Sequence, residues 1–105
     1  MRTIAAIVAL AAATATTAVA QPNVRLSDVD YMQAARCRGI AASTAADTAS
    51  IDALLKAQGK GRATYVSAKA DELQSDAARA VRRANDNGKQ SLIAERDGAC
   101  KRFLG

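Results

Sequence analysis

The first twenty residues constrain this chain most, because they match a secretory leader and so decide the state of the two cysteines downstream. Arg2 supplies a short basic start, residues 4–13 form a short apolar run, and residues 18–20 (Ala-Val-Ala) match a small-residue cleavage site. A chain exported through such a leader folds in an oxidising compartment, where cysteines pair. We therefore predict a disulfide between Cys37 and Cys100, the two cysteines of the sequence.

A retained membrane anchor is the alternative for this segment. Residues 3–20 reach only about the minimum length of a spanning helix, and their threonines and many alanines make them weakly apolar. We expect cleavage after Ala20, which leaves residues 21–105 as a single domain without a membrane span. The short basic start suggests a bacterial protein that is periplasmic or secreted, and Gln21 in place of cysteine argues against a lipid-modified N-terminus.

The apolar side chains of the predicted domain are few, and many of them are alanines. Each larger one contributes on the order of 1.5–3 kcal/mol when buried, against roughly 1–2 kcal/mol of backbone entropy for every ordered residue. A bridge between Cys37 and Cys100 closes a loop of about 64 residues, which the chain-entropy model values at about 4 kcal/mol. The bridge would therefore stabilise the domain substantially. A second copy of the chain could also complete the buried area, so homodimerisation stays open.

The apolar periodicity predicts an all-α fold, either a bundle of three or four helices or a helical hairpin with a third helix. The predicted helical stretches span about 28–57, 62–85 and 89–103. The first stretch contains no proline, but its middle, residues 43–50, is small and polar. This leaves open whether it forms one bent helix or two.

Capping and turn residues predict the helix boundaries. Ser27 is expected to cap the first helix, and the Gly-Lys-Gly at 59–61 is the clearest break in the chain. Residues 85–88 (Asn-Asp-Asn-Gly) should end the second stretch. Asn87 with Gln90 matches a capping box for the third.

Alanine recurs at every seventh position in two of these stretches, which would let neighbouring helices approach closely. The repeats are Ala35, Ala42 and Ala49 in the first stretch, and Ala63, Ala70, Ala77 and Ala84 in the second. We predict close helix packing along these stripes, while noting that an alanine-rich chain also produces such runs by chance.

Catalytic and metal chemistry finds little support in the sequence. The chain contains no histidine, which excludes Ser–His and Cys–His nucleophile pairs and the common histidine-containing zinc sites. Residues 83–88 partly match a calcium loop, but Arg83 and Ala94 stand where that loop needs acidic ligands. We therefore predict no catalytic residue, no metal and no cofactor.

Basic residues supply the candidate binding surface. Since Arg2 leaves with the leader, 14 Lys/Arg remain against 10 Asp/Glu, a net charge of +4. The candidate anion-binding residues are Arg79, Arg82, Arg83, Lys101 and Arg102. Guanidinium groups can grip carboxylate or phosphate, and an exported protein meets anionic lipid, glycan or acidic proteins rather than nucleic acid. Solubility alone would also account for this charge.

The sequence thus favours a non-enzymatic exported helical protein that acts by binding another macromolecule. One alternative is a basic protein that binds anionic lipid or glycan at the cell envelope. Another is an inhibitor or immunity-type protein. No motif selects among these hypotheses, so the partner, whether a protein or an anionic envelope component, stays unidentified.

We also predict two ion pairs along the helices. They join Asp76 to Arg79 and Asp97 to Lys101.

Overall fold

The computed structural model describes residues 24–105, so the predicted leader lies outside the described part of the chain. Within that part the chain forms five helices and no strand: α1 (Asp28–Ser43), α2 (Ala49–Gln58), α3 (Thr64–Arg83), α4 (Asp86–Asp97) and α5 (Lys101–Leu104). The predicted all-α bundle is confirmed. The first predicted stretch consists of two helices.

The start of α1 agrees with the sequence prediction, whereas its end was not foreseen. The Ser27 hydroxyl accepts a hydrogen bond from the Asp30 N–H at 3.0 Å, as expected of a cap. At the other end Ala45 adopts a φ of 60°, and the Ala46 N–H donates to the Ala41 carbonyl at 2.9 Å. This left-handed helix ending usually contains glycine. It separates α1 from α2.

The third predicted stretch has different bounds in the structure. Asn85 is extended, and its side-chain oxygen accepts from the Gly88 N–H at 2.8 Å. The predicted capping box of Asn87 with Gln90 is therefore wrong, because Asn85 already caps the helix from an earlier position. The helix also stops at Gly98, and a short fifth helix follows.

α1 and α3 lie side by side and run in the same direction. Near their starts, Arg62 donates to the Asp28 carboxylate at 2.8 Å, and farther along Gly39 lies against Gln74 and Ala77. A Cβ at Gly39 would overlap the Gln74 carbonyl oxygen and lie 3.1 Å from the Ala77 Cβ. This glycine therefore permits the close approach of the two helices.

α2 explains why α1 and α3 are parallel. Arg38, in the later half of α1, binds Asp52 near the start of α2 at 2.9 Å. The Leu26 N–H, just before α1, donates to Gln58 at the end of α2, also at 2.9 Å. α2 thus runs antiparallel to α1 and returns the chain to its starting level, where α3 begins.

The core is small, and the disulfide is part of it. Cys37 and Cys100 are bonded and fully buried, which confirms the predicted bridge. The core residues around them are Leu26, Ala34, Ile40, Ile51, Leu54, Ala77, Val81 and Phe103. α4 contributes no fully buried residue; the partly buried Leu92 packs against the core, and the Arg36–Glu95 ion pair joins the helix to α1.

The predicted alanine stripes are only partly correct. On α3, Ala70 and Ala77 are buried as predicted. The prediction is wrong at Ala42, Ala49 and Ala63, which are exposed; Ala49 follows the turn after α1, which breaks the helical register. The alanines that α1 buries are Ala34, Ala35 and Ala41.

Candidate anion-binding site

The basic residues of the described chain form an engaged and a free group, apart from Arg25, which donates a hydrogen bond of 3.4 Å to the Gln58 carbonyl. The cations with a carboxylate partner are Arg36, Arg38, Arg62, Lys69, Arg79, Arg96 and Arg102. Those with no ion-pair or hydrogen-bond partner among residues 24–105 are Lys56, Lys60, Arg82, Arg83, Lys89 and Lys101. The free group is where an external anion meets no internal competitor.

The C-terminal part of α3 holds three of the predicted anion-binding residues, of which Arg82 and Arg83 lie in the last turn. Arg79 is bound by Asp76 at 2.8 Å, which confirms the predicted pair. Arg82 and Arg83 are exposed and unpartnered within the described residues. Their position in the final helical turn is favourable because cations there complement the helix dipole. Two neighbouring guanidinium groups are thus presented to solvent.

The other two predicted residues lie on α5, whose main contacts are with α1 and α2. Arg102 binds the Asp30 carboxylate at 3.0 Å, and its guanidinium lies 4.1 Å from the centre of the Phe103 ring. Lys101 is exposed and forms no ion pair or hydrogen bond among residues 24–105, but its charge acts on the nearby Asp97 carboxylate. The five predicted residues are therefore divided between two helices, and two of the five are already engaged.

A shallow cleft of about 330 Å³ lies where α4 meets α5. It is lined by Arg96, Asp97, Lys101, Leu104 and Gly105. Arg96 is engaged here by the Asp97 carboxylate at 2.9 Å and by the Thr44 hydroxyl at 3.0 Å. The hydrogen bond from Arg96 lowers the pKa of Asp97. The predicted pair between Asp97 and Lys101 does not form a direct ion pair, because the helix ends between them, although the Lys101 charge also lowers the pKa of Asp97.

Sequence reasoning missed Arg62, a cation that the fold buries. Its side chain is 3% exposed. Its guanidinium donates to the carbonyl oxygens of Gln58 at 2.9 Å and Leu26 at 2.8 Å, binds Asp28, and lies 4.7 Å from the centre of the Tyr31 ring. Arg62 therefore fixes the turn between α2 and α3 to the start of α1.

Gln58 completes this buried network. It is 2% exposed, its amide nitrogen donates to the Val24 carbonyl at 2.7 Å, and its oxygen accepts from the Leu26 N–H. The one sequence signal is the spacing of four between Gln58 and Arg62. That spacing across a glycine-rich turn does not distinguish a buried network from two surface side chains.

The arginines beside Cys37 also have structural roles. Arg36 grips Glu95 with two hydrogen bonds of 2.8 and 2.9 Å, and this interaction raises the pKa of Arg36. Arg38 binds Asp52 and thereby lowers the pKa of that carboxyl. These pairs join α1 to α4 and α2, which leaves neither arginine available to a ligand.

Comparisons with known proteins identify no relative of this chain. No model of a known family matches the chain, and no curated protein or solved structure matches it significantly. Between residues 24 and 105 there is no group of three or more His, Cys, Asp or Glu side chains that could hold a metal ion. No helix in that same range has both the length and the apolar character needed to span a bilayer.

The bundle thus has two ends of different character. We call residues 24–31 and 56–65 the tyrosine end, and residues 79–89 the arginine end. α3 connects them: Tyr65 and Arg82 are about 25 Å apart along its axis at 1.5 Å per residue.

Proposed function

We propose that this protein is exported, is not an enzyme, and binds an acidic macromolecule through Arg82 and Arg83. The observation that carries the proposal is the free state of these two consecutive arginines, since most arginines of the described chain are engaged. A guanidinium offers a planar fork of donors that suits a carboxylate or phosphate. The arginine end is therefore the best-suited surface for an acidic partner.

The expected binding is reversible and sensitive to salt. An exposed ion pair is worth roughly 0.2–1 kcal/mol, so two arginines supply specificity and a faster encounter more than high affinity. Salt screens such contacts over a distance of about 8–10 Å. A transient complex with a partner that carries several carboxylates fits these magnitudes.

The absence of histidine from the sequence supports a non-enzymatic role. In the cleft between α4 and α5, the Arg96 guanidinium is engaged by neighbouring groups of the chain. Turnover in an assay of hydrolases and transferases, abolished by a single substitution, would overturn this part of the proposal.

Export is supported by the leader-like sequence and by a fully buried disulfide, which forms readily in an oxidising compartment. The test is the mass of the protein recovered from separated cell fractions. We expect material outside the cytoplasm that begins at Gln21 and has no free thiol. Uncleaved cytoplasmic protein with two free thiols would refute export.

Affinity capture from a membrane-free extract tests the binding surface. The bait is the oxidised protein as isolated, in three forms: the unchanged protein, Arg82→Gln/Arg83→Gln, and Lys56→Gln/Lys60→Gln. The two variants each remove two exposed, unpartnered cations, so they have the same net charge. We expect an acidic partner to be retained by the unchanged protein and the lysine variant, and reduced about tenfold with the arginine variant.

The proposal is contradicted if all three forms retain the acidic partner equally, or if both variants lose it equally. Loss from both would mean that net charge alone drives capture. The arginine substitutions also remove cations from the last turn of α3, at a cost of roughly 0.3–1 kcal/mol each. Circular dichroism and urea unfolding of each bait therefore accompany the capture.

A further inference from the structure

The exposed apolar side chains of the described chain gather at one end. Its exposed large hydrophobic residues are Val24, Val29 and Tyr65, with 55%, 69% and 74% of their surface open to solvent. All three belong to the tyrosine end. The arginine end contains none of them.

Buried contacts fix the positions of these three residues. The ion pair between Arg62 and Asp28 ties together the first turns of α3 and α1, which carry Tyr65 and Val29. The Val24 carbonyl accepts a hydrogen bond from the end of α2 at 2.7 Å. The apolar residues are therefore held at the same end of a rigid framework.

The same end carries uncompensated positive charge. Lys56 and Lys60 are exposed and have no partner in the described chain, and Arg25 is exposed beside them, with one hydrogen bond to a backbone carbonyl. Both carboxylates of this end are already paired, Asp28 with Arg62 and Asp30 with Arg102. Exposed apolar groups and free cations thus occur together.

We propose that the tyrosine end docks on the surface of a lipid bilayer that contains anionic phospholipid. Tyrosine partitions to the headgroup level of a membrane, small apolar side chains enter the boundary with the acyl chains, and lysines meet the lipid phosphates. A stable protein partner would instead require an interface of about 1,000 Å² or more with complementary shape. Three side chains and two lysines supply much less than that, whereas a bilayer adapts to them.

This docking places the two ends of the molecule at different distances from the membrane. With α3 pointing away from the bilayer, Arg82 stands about 25 Å beyond Tyr65. That distance is more than twice the screening length of about 10 Å at 0.1 M salt. The arginine end therefore does not contribute to membrane binding, and the inference holds whether or not it binds an acidic partner.

Co-sedimentation with lipid vesicles tests the proposal. The oxidised protein is mixed with vesicles of phosphatidylglycerol and phosphatidylcholine, or of phosphatidylcholine alone, at about 0.1 M salt. We expect binding to the anionic vesicles, and a bound fraction at least several-fold lower with phosphatidylcholine alone. Val29→Ser/Tyr65→Ser should weaken binding about tenfold, and Lys56→Gln/Lys60→Gln by about fivefold for each lysine.

Arg82→Gln/Arg83→Gln is the matched control, because it removes the same charge from the other end. We expect it to change the affinity less than about twofold. If it weakens binding as much as the lysine variant, or if Val29→Ser/Tyr65→Ser binds like the unchanged protein, the proposal is overturned. Self-association in sedimentation velocity without vesicle binding, abolished by Val29→Ser/Tyr65→Ser, would assign this end to a second copy and also refute membrane docking.

Discussion

The two ends of α3 present arginine in opposite surroundings. Arg62, just before the helix, is buried among carbonyl oxygens, a carboxylate and an aromatic ring. Arg82 and Arg83, in the last turn, are exposed and have no partner in the described chain. The residue type is the same, so the acceptors that the fold supplies decide whether an arginine supports the structure or is available to a partner.

The contrast extends to the apolar side chains. At the tyrosine end the polar groups of Gln58 and Arg62 are buried, while Val29 and Tyr65 are exposed. A buried polar network beside the core residue Leu26 allows the chain to turn back on itself there, provided that every buried acceptor is satisfied. The tyrosine end therefore offers exposed apolar side chains to a ligand, and the arginine end offers free guanidinium groups.

The largest expected effect comes from the bridge that holds α1 to α5. Cys37→Ala/Cys100→Ala should lower the free energy of unfolding by about 4 kcal/mol, since the closed loop no longer restricts the unfolded chain. Urea unfolding followed by circular dichroism measures it. With both sulfurs fully buried, mild reductant should leave the folded protein oxidised. A loss below about 1 kcal/mol would show that the small core is sufficient by itself.

The second largest effect is expected from the buried arginine at the tyrosine end. Arg62→Gln should cost about 3 kcal/mol, because the Leu26 carbonyl loses its charged donor and the Gln58 carbonyl keeps only the longer hydrogen bond from Arg25. The control is Arg82→Gln/Arg83→Gln, which should cost about 1 kcal/mol through the helix dipole. Equal losses in urea unfolding would contradict the assignment of different roles.

A third prediction concerns the contact that aligns the two ends. Gly39→Ala should lower the free energy of unfolding by about 1–3 kcal/mol, because the new Cβ meets the Gln74 carbonyl and the Ala77 side chain. On an open helix face the same change would stabilise by about 1 kcal/mol. The sign of the change in the urea midpoint therefore reports whether α1 and α3 touch at this point.

The smallest effect concerns ion pairs outside both ends. Hydrogen bonds from Arg38 and Arg96 hold the pKa values of Asp52 and Asp97 below the ordinary value of 3.8. Such pairs stabilise the fold at higher pH, and this contribution is lost as the pH falls through the lowered pKa. Unfolding free energies measured from about pH 5 to about pH 2 should therefore decline.

Asp52→Asn provides the control for that decline. Because the pair is exposed, its contribution is below about 1 kcal/mol, and the variant should lose correspondingly less stability on acidification. An identical pH profile for both proteins would show that the Arg38–Asp52 pair does not contribute.

Much of the fold could be predicted from the sequence because its signals are local. The Ser27 cap, the Gly-Lys-Gly break and the apolar stripe of α3 act within a few residues, and the structure contains all three. The disulfide followed from the leader-like segment and the presence of two cysteines. The capping, turn and periodicity signals therefore predicted the class of fold, and the leader-like segment with two cysteines predicted the disulfide.

Other features depended on contacts across the chain. The end of α1 was not located because Ala45 occupies a left-handed position that is normally glycine. The five candidate basic residues could not be separated into free and engaged ones, since the Asp30 partner of Arg102 is remote in sequence. The burial of Arg62 likewise depends on carbonyl groups that only the folded chain brings together.

The most direct test of the two-ended account compares arginine side chains within one sample. Hydrogen exchange of the guanidinium Nε–H groups, followed by NMR, distinguishes a hydrogen-bonded arginine from a solvated one. We expect strong protection of the Nε–H group at Arg62 and none at Arg82 or Arg83. When an acidic partner is added, only the signals of Arg82 and Arg83 should shift. Protection at Arg82 and Arg83, or free exchange at Arg62, would contradict it.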